Sequence, residues 1–272
     1  MKIPRTALVF LLAVTGSLQA DGCRLFVIGD SITVRYTPAL RLSLPGDWTV
    51  DGKKDIPGAP PANTNLDIPT GANGGDSNMV LGYLQARAAH DPIHADLLLL
   101  NCGLHDVKCD LKTGAKQVDL ATYRKNLRAI LRVAADMRLS VVWVRTTPVV
   151  DSIHNSRQPA FARHAADVAE YNAAADEIMR ETGTPEIDLN QFTAQFIPAS
   201  YVDHVHYDDG TAAKQAAFVA GALEAIWNRS RTAKPRVTRV SRPVKADAAN
   251  CERRAQPFSS SPATRVRRPV LL

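Results

Sequence analysis

The sequence predicts an α/β fold, a single-domain three-layer α/β/α sandwich around a mainly parallel sheet of about five strands. Three observations predict it. Short runs at 25–28, 97–100 and 141–144 are apolar on both faces, as strands buried within a parallel sheet must be. Between them lie stretches with the spacing of amphipathic helices, the alternation expected of βαβ units. The first and third of these runs end in Gly29-Asp30-Ser31 and Arg145-Thr146-Thr147-Pro148, polar or turn-forming residues where the chain leaves the sheet.

Residues 1–20 precede this pattern and read as an export signal. Lys2 and Arg5 supply the positive start, residues 7–14 the apolar core, and Ser17 and Ala20 small residues for cleavage, with Leu18 larger than the usual preference. The apolar run is too short to span a membrane. An exported, periplasmic or secreted protein is therefore expected, with residues 21–228 as the folded domain.

Within that domain, residues 25–28 form the first strand and the chain turns at Gly29-Asp30-Ser31 into a helix from about 34 to 42. A second, edge-like strand is expected at 48–50. Residues 52–75 are rich in Pro, Gly and Asn without periodicity, and α/β patterning resumes directly after them, so they read as a functional loop. Asp76 or Ser77 is placed to cap a helix carrying Met79, Val80, Tyr83 and Leu84 on one face. The Leu97-to-Leu100 run is the central strand. Leu120, Tyr123, Leu127, Ile130, Leu131 and Ala134 recur at helical spacing, and a fourth strand follows at 141–144. An Ala-rich helix is expected at 162–181 and a short fifth strand at 187–189. Phe218, Val219, Ala222, Leu223, Ile226 and Trp227 stripe a last helix, capped by Asp208 or Asp209.

The net charge of +6 is divided unevenly. From Arg229 onward there are twelve Lys/Arg against Asp247 and Glu252, so the preceding part is mildly acidic and the tail strongly basic. Residues 229–272 carry few large apolar side chains and are expected to stay flexible. The tail suits an anionic cell-surface polymer. With Phe258 its only aromatic residue it lacks a base-stacking surface, so no nucleic-acid partner is expected. Cys102 and Cys109 flank a short loop and are spaced to pair, while Cys23 and Cys251 lie near the mature ends; the sequence does not choose among the three full pairings. Oligomeric state is likewise open.

Ser31 ends the first strand and precedes a helix, so it lies where open α/β sheets form their ligand crevice and where helix N–H groups favour negative charge. A structural N-cap serine is the competing reading of that segment alone. The loop Tyr201-Val202-Asp203-His204-Val205-His206-Tyr207 decides between them. Asp203 and His206 are three apart, so one tight turn can place a base against Ser31 and a carboxylate against the base.

With these residues in view, the chain resembles the SGNH (GDSL) hydrolases from about Arg24 to Trp227. Gly29-Asp30-Ser31 matches the nucleophile block, Gly75 before Asp76-Ser77 the oxyanion glycine (with Gly74 as the alternative), Gly103-Leu104-His105-Asp106 the Gly-x-Asn-Asp block, and Asp203-His204-Val205-His206 the Asp-x-x-His block. The four occur in family order. The variants in the second and third blocks look like an exported bacterial branch, uncharacterised or carbohydrate-directed. The resemblance implies the flavodoxin-like fold of that family, ester hydrolysis without a cofactor, catalysis by Ser31, Asp203 and His206, and an oxyanion hole from Ser31, Gly75 and a third donor. That donor is usually an asparagine amide, and here the position is His105. A neutral imidazole donates one N–H and an imidazolium two, so the role survives with a pH dependence an amide lacks.

Export together with these motifs points to O-acetyl groups on a glycan as substrate. An O-acyltransferase using the same triad, a lipase or thioesterase, and a non-catalytic glycan-binding homologue are the alternatives. Asp203, His204, His206, Asp208 and Asp209 contain metal-ligand types, but crowding in one loop does not make a metal centre, and no metal is expected. Asp30 is read as shaping its turn, Asp106 as bracing its loop, and His90, His94, His154 and His164 as surface or internally satisfied residues. Arg145 is left between substrate contact and pairing with an acid.

Overall fold

The structure is a computed structural model that describes residues 22–54 and 68–233. The expected export signal, most of the 52–75 loop, Cys251 and the tail beyond Ala233 lie outside the described residues.

Among the described residues five strands, β1 (Arg24–Ile28), β2 (Thr49–Gly52), β3 (Leu97–Leu100), β4 (Ser140–Val144) and β5 (Glu186–Ile187), pair in the order β2-β1-β3-β4-β5, every pair parallel. Helices α1 (Ser31–Ser43), α2 (Ser77–His90), α3 (Leu120–Asp136), α4 (Asp151–Arg157), α5 (Ala165–Thr182), α6 (Leu189–Ala194) and α7 (Asp209–Ala233) connect and flank them. One helical group joins α1, α6 and α7, the other α2, α3 and α5, giving the three expected layers. All four leucines of β3 are buried, because neighbouring strands occupy both its edges and helices both its faces. Their side chains share one core with Phe26, Ile28, Trp143, Leu127 and Leu223.

Differences from expectation cluster where local hydrogen bonding overrides hydrophobic periodicity. Helix α1 starts at Ser31, because Asp30 Oδ1 accepts from the N–H groups of Ile32 (2.9 Å) and Thr33 (3.3 Å). Asp76, one of the two expected caps, does start α2, through Met79 N–H at 3.0 Å. The expected strand at 187–189 stops at Ile187, since Asp188 caps α6 through Gln191 N–H. Helices α4 and α6, of 7 and 6 residues, are too short to show a helical period. Helix α5 begins at Ala165 because Ala162 is paired with the Cys109 backbone, each N–H meeting the other's carbonyl. Helix α7 runs past the expected boundary at 228 to Ala233, its last turns supported by Ser230 Oγ donating to Trp227 O and by Arg231 over the Trp227 ring.

Cys23, Cys102 and Cys109 are buried free thiols. The pairing of Cys102 with Cys109 that their spacing permitted is not made. Cys102 is buried just beyond β3, whereas Cys109 Sγ faces the Gly114 carbonyl at 3.2 Å.

Candidate active site

Three chain segments meet beyond the carboxyl ends of β1 and β3, where the strand order reverses and such sheets open their crevice. Gly29 forms a bridge with Asn73, and Gly74 N–H donates to Gly29 O at 2.7 Å, which fixes the 73–75 turn beside Ser31. Asn101 N–H donates to Ile28 O, continuing the β1–β3 ladder into the turn that holds His105.

The third segment is a tight loop at 200–208. Tyr201 and Tyr207 bridge, Val202 N–H donates to His206 O, and Asp208 N–H to Ser200 O. Both tyrosine hydroxyls donate to Pro148 O, at 2.8 and 3.2 Å, tying the loop to the segment after β4. At its tip Asp203 Oδ1 accepts from the N–H groups of Val205 and His206, both at 2.8 Å. Asp203 Oδ2 lies 2.7 Å from His206 Nδ1, and His206 Nε2 lies 2.8 Å from Ser31 Oγ. The tautomer that satisfies both carries the proton on Nδ1 and accepts the serine hydroxyl at Nε2. Ser31 and His206 are 1% and 3% exposed, so their mutual bond is shielded from water. Burial alone would raise the Asp203 carboxyl. The bonds from His206 and from the Val205 and His206 N–H groups outweigh it and hold the group well below the ordinary carboxylate range.

The expected oxyanion donors are in three different states. Ser31 N–H is in the first turn of α1 and has no intrahelical partner. Gly75 N–H donates to Asn73 Oδ1 at 2.9 Å, and Gly74, the alternative, is committed to Gly29 O. His105 is fully buried, and neither ring nitrogen has a hydrogen-bond partner among the described residues. Burial first, then the positive charges of Lys108 and Arg163 and that of His206 in its protonated form, push its pKa well below 6.5. It is therefore a neutral imidazole with one N–H to give, and the pH dependence expected of it moves down into the acid range.

Asp106 acts as the brace the sequence suggested. Its two oxygens accept Ser77 N–H at 2.9 and 3.1 Å, joining the His105 turn to the start of α2, while burial pushes its carboxyl up to about 7. The same turn depends on Gly103, at φ +141°, where a Cβ would lie 2.4 Å from Thr146 Oγ1. Gly103→Ala is expected to destabilise the fold by roughly 1–3 kcal/mol, read as a fall in the denaturant midpoint; an unchanged midpoint would show that the turn tolerates a side chain.

Arg145 pairs with acids, Asp188 at 2.8 Å and Asp176 at 3.1 Å. His164 contacts Asp151, and His154 is buried between Asn155 and Arg163. Asp208 caps α7 through Thr211 N–H, and Asp209 pairs with Arg35. Among the described residues no group of three or more His, Cys, Asp or Glu side chains is placed to hold a metal ion. Two residues near the site went unnoticed in the sequence. Asn73 had no signal beyond the loop composition, and Arg163 falls inside the stretch read as the start of a helix.

A family model described as the GDSL-like lipase/acylhydrolase family matches residues 27–213. Among curated proteins none matches. The chain is similar to the solved structure of the lipase/acylhydrolase from Enterococcus faecalis, with 15% identity over 75% of this chain and 96% of that one and a TM-score of 0.52. It is also similar to the acetyl xylan esterase AlAXEase, at 15% identity over 75% and 98% of the two chains and a TM-score of 0.51. The carbohydrate acetylesterase Est24 from Sinorhizobium meliloti is similar at 14% identity, over 75% and 99%, with a TM-score of 0.51. At these identities the likeness is one of fold.

Proposed function

The chain belongs to the GDSL-like lipase/acylhydrolase family, and from that premise we propose that it is an exported serine esterase acting on O-acetyl groups of a carbohydrate. The observation that carries the esterase reading is the hydrogen-bonded series Asp203–His206–Ser31 at the sheet's carboxyl edge. As Ser31 Oγ attacks the ester carbonyl carbon, its proton passes to His206 Nε2 and the imidazolium is stabilised by Asp203. The carbonyl oxygen becomes an oxyanion, which takes hydrogen bonds from Ser31 N–H, the single N–H of His105 and Gly75 N–H. Gly75 must share or release its bond to Asn73 Oδ1 to do so. Collapse breaks the bond to the alcohol oxygen, which leaves with the His206 proton. His206 then takes a proton from water, the hydroxide attacks the acyl-serine, and Ser31 leaves with that proton.

The acetyl and carbohydrate choice is supported by two structures of similar fold, an acetyl xylan esterase and a carbohydrate acetylesterase. Export is supported by the charge and hydropathy pattern of residues 1–20. Wild-type protein assayed on 4-nitrophenyl acetate, 4-nitrophenyl butyrate and acetylated xylan tests both steps. Preference for acetate over butyrate with acetate released from the polymer is the expected result. Hydrolysis of butyrate with no release from xylan would overturn the carbohydrate assignment and leave an esterase.

The third oxyanion donor has its own test. His105→Ala is expected to lower kcat about 10²–10³-fold, while His105→Asn, which restores an amide N–H, keeps most of the activity. Unchanged kcat in the alanine variant would remove His105 from the oxyanion hole.

A further inference from the structure

We propose that Arg163 is a positioning residue for this reaction: its guanidinium ties the His105 turn to His154, whose ring packs on the loop that carries His206, and sets His105 against the oxyanion. The inference rests on the reading of His105 as a donor.

Arg163 is fully buried. The antiparallel pairing of Ala162 with Cys109 lays it across the turn that follows β3. There its Nε donates to Leu104 O at 2.7 Å, at the peptide that leads into His105. On the other side Nη1 donates to His154 Nε2 at 3.0 Å, while His154 Nδ1–H is oriented toward Asn155 Oδ1, which also accepts Arg163 N–H. The His154 ring packs on His204 at 4.8 Å, and His204 on His206 at 5.8 Å. A planar, forked cation can hold a carbonyl and an imidazole at a fixed angle to each other, and a lysine ammonium cannot. Leu104 and His154 are thereby placed in one rigid frame that reaches both halves of the site.

The same charge has an electrostatic consequence. His105 faces burial, the cations Lys108 on its own turn and Arg163 on the segment before α5, and the His206 ring on the 200–208 loop, which is cationic only once it has taken the serine proton, with the Asp106 carboxyl beside it in the chain and turned toward Ser77. Burial raises the Asp30 carboxyl on balance, and the Arg163 charge offsets part of that after the Thr33 and Ile32 N–H groups. Removing the guanidinium lets His105 take a proton at higher pH. A charged His105 repels the imidazolium that forms on His206 and also strengthens the bond to the oxyanion, so the acid limb of kcat/KM gains a protonation that belongs to His105.

The test compares wild type, Arg163→Met, Arg163→Lys and His105→Asn, and places His105→Asn on each Arg163 variant, with folding checked by circular dichroism. Arg163→Met is expected to lower kcat about 10²-fold, the scale of a small misplacement at a reacting centre, with KM little changed. Its acid limb should gain a protonation that disappears when His105 is also changed to Asn. Arg163→Lys should keep the wild-type acid limb without recovering kcat, because it retains the charge and loses the fork. If Arg163→Met does not fold, Arg163→Lys alone decides by its kcat. Wild-type kcat and pH profile in a folded Arg163 variant would overturn the proposal, and so would a second protonation that persists after His105→Asn. Failure of the underlying reading looks different, since His105→Ala would then retain full turnover whatever Arg163 does.

Discussion

Ser31→Ala is expected to reduce turnover on 4-nitrophenyl acetate by about 10⁴–10⁶-fold, the loss that follows when the nucleophile of an acyl-enzyme mechanism is removed. Ser31 Oγ has His206 Nε2 as its hydrogen-bond partner at 2.8 Å, and the residue is almost fully buried at the first position of α1. Alanine keeps the backbone N–H and favours the helix, and Asp30 rather than Ser31 supplies the cap, so the fold should survive. The variant therefore separates chemistry from stability. A thermal midpoint close to wild type with turnover at background is the expected pair of results. A folded variant with substantial turnover would show that another group carries the attack.

Asp203→Asn should follow in size, with kcat lowered on the order of 10⁴-fold. The amide can present its N–H to His206 Nδ1, which moves the ring proton to Nε2 and leaves no acceptor for Ser31. It also fails to stabilise the imidazolium. The Asp203 side chain is 48% exposed, so water can replace part of that stabilisation, and a loss smaller than this remains consistent with the role. Activity equal to wild type would not. Stability gives an independent reading. The folded carboxyl titrates below its unfolded value of about 3.9, so its contribution is present above that pH and is lost as pH falls toward the lower folded value. Asp203→Asn should therefore lose less stability than wild type between neutral pH and strong acid, by a small amount given the exposure. Denaturant midpoints at the two pH values measure it.

The sheet was legible because its strands are short and apolar on both faces, a pattern that depends on composition more than on distant partners. Leu97 to Leu100 can be read as a central strand without knowing what lies beside it. The helix starts were less legible. Asp30 and Asp188 set two of them through one or two hydrogen bonds each, and an aspartate that caps looks the same in sequence as one that does not, whereas Asp76 stands directly before an apolar stripe and is legible as a cap. Helices α4 and α6 were missed for the related reason that one or two turns carry too few residues for a period.

What the sequence by itself determined was the order of the strands along the chain, the candidates Ser31, Gly75, His105, Asp203 and His206, and the departure at His105 from the usual asparagine. Each follows from local spacing or from a short motif. Only the tertiary structure decided that Ser31 and His206, 175 positions apart, meet at hydrogen-bond distance. It alone placed Asn73 on the Gly75 N–H, paired Arg145 with acids, and brought Arg163 beside the His105 turn. Those outcomes depend on strand order and on backbone pairings such as Cys109 with Ala162, which leave no trace in the local sequence pattern.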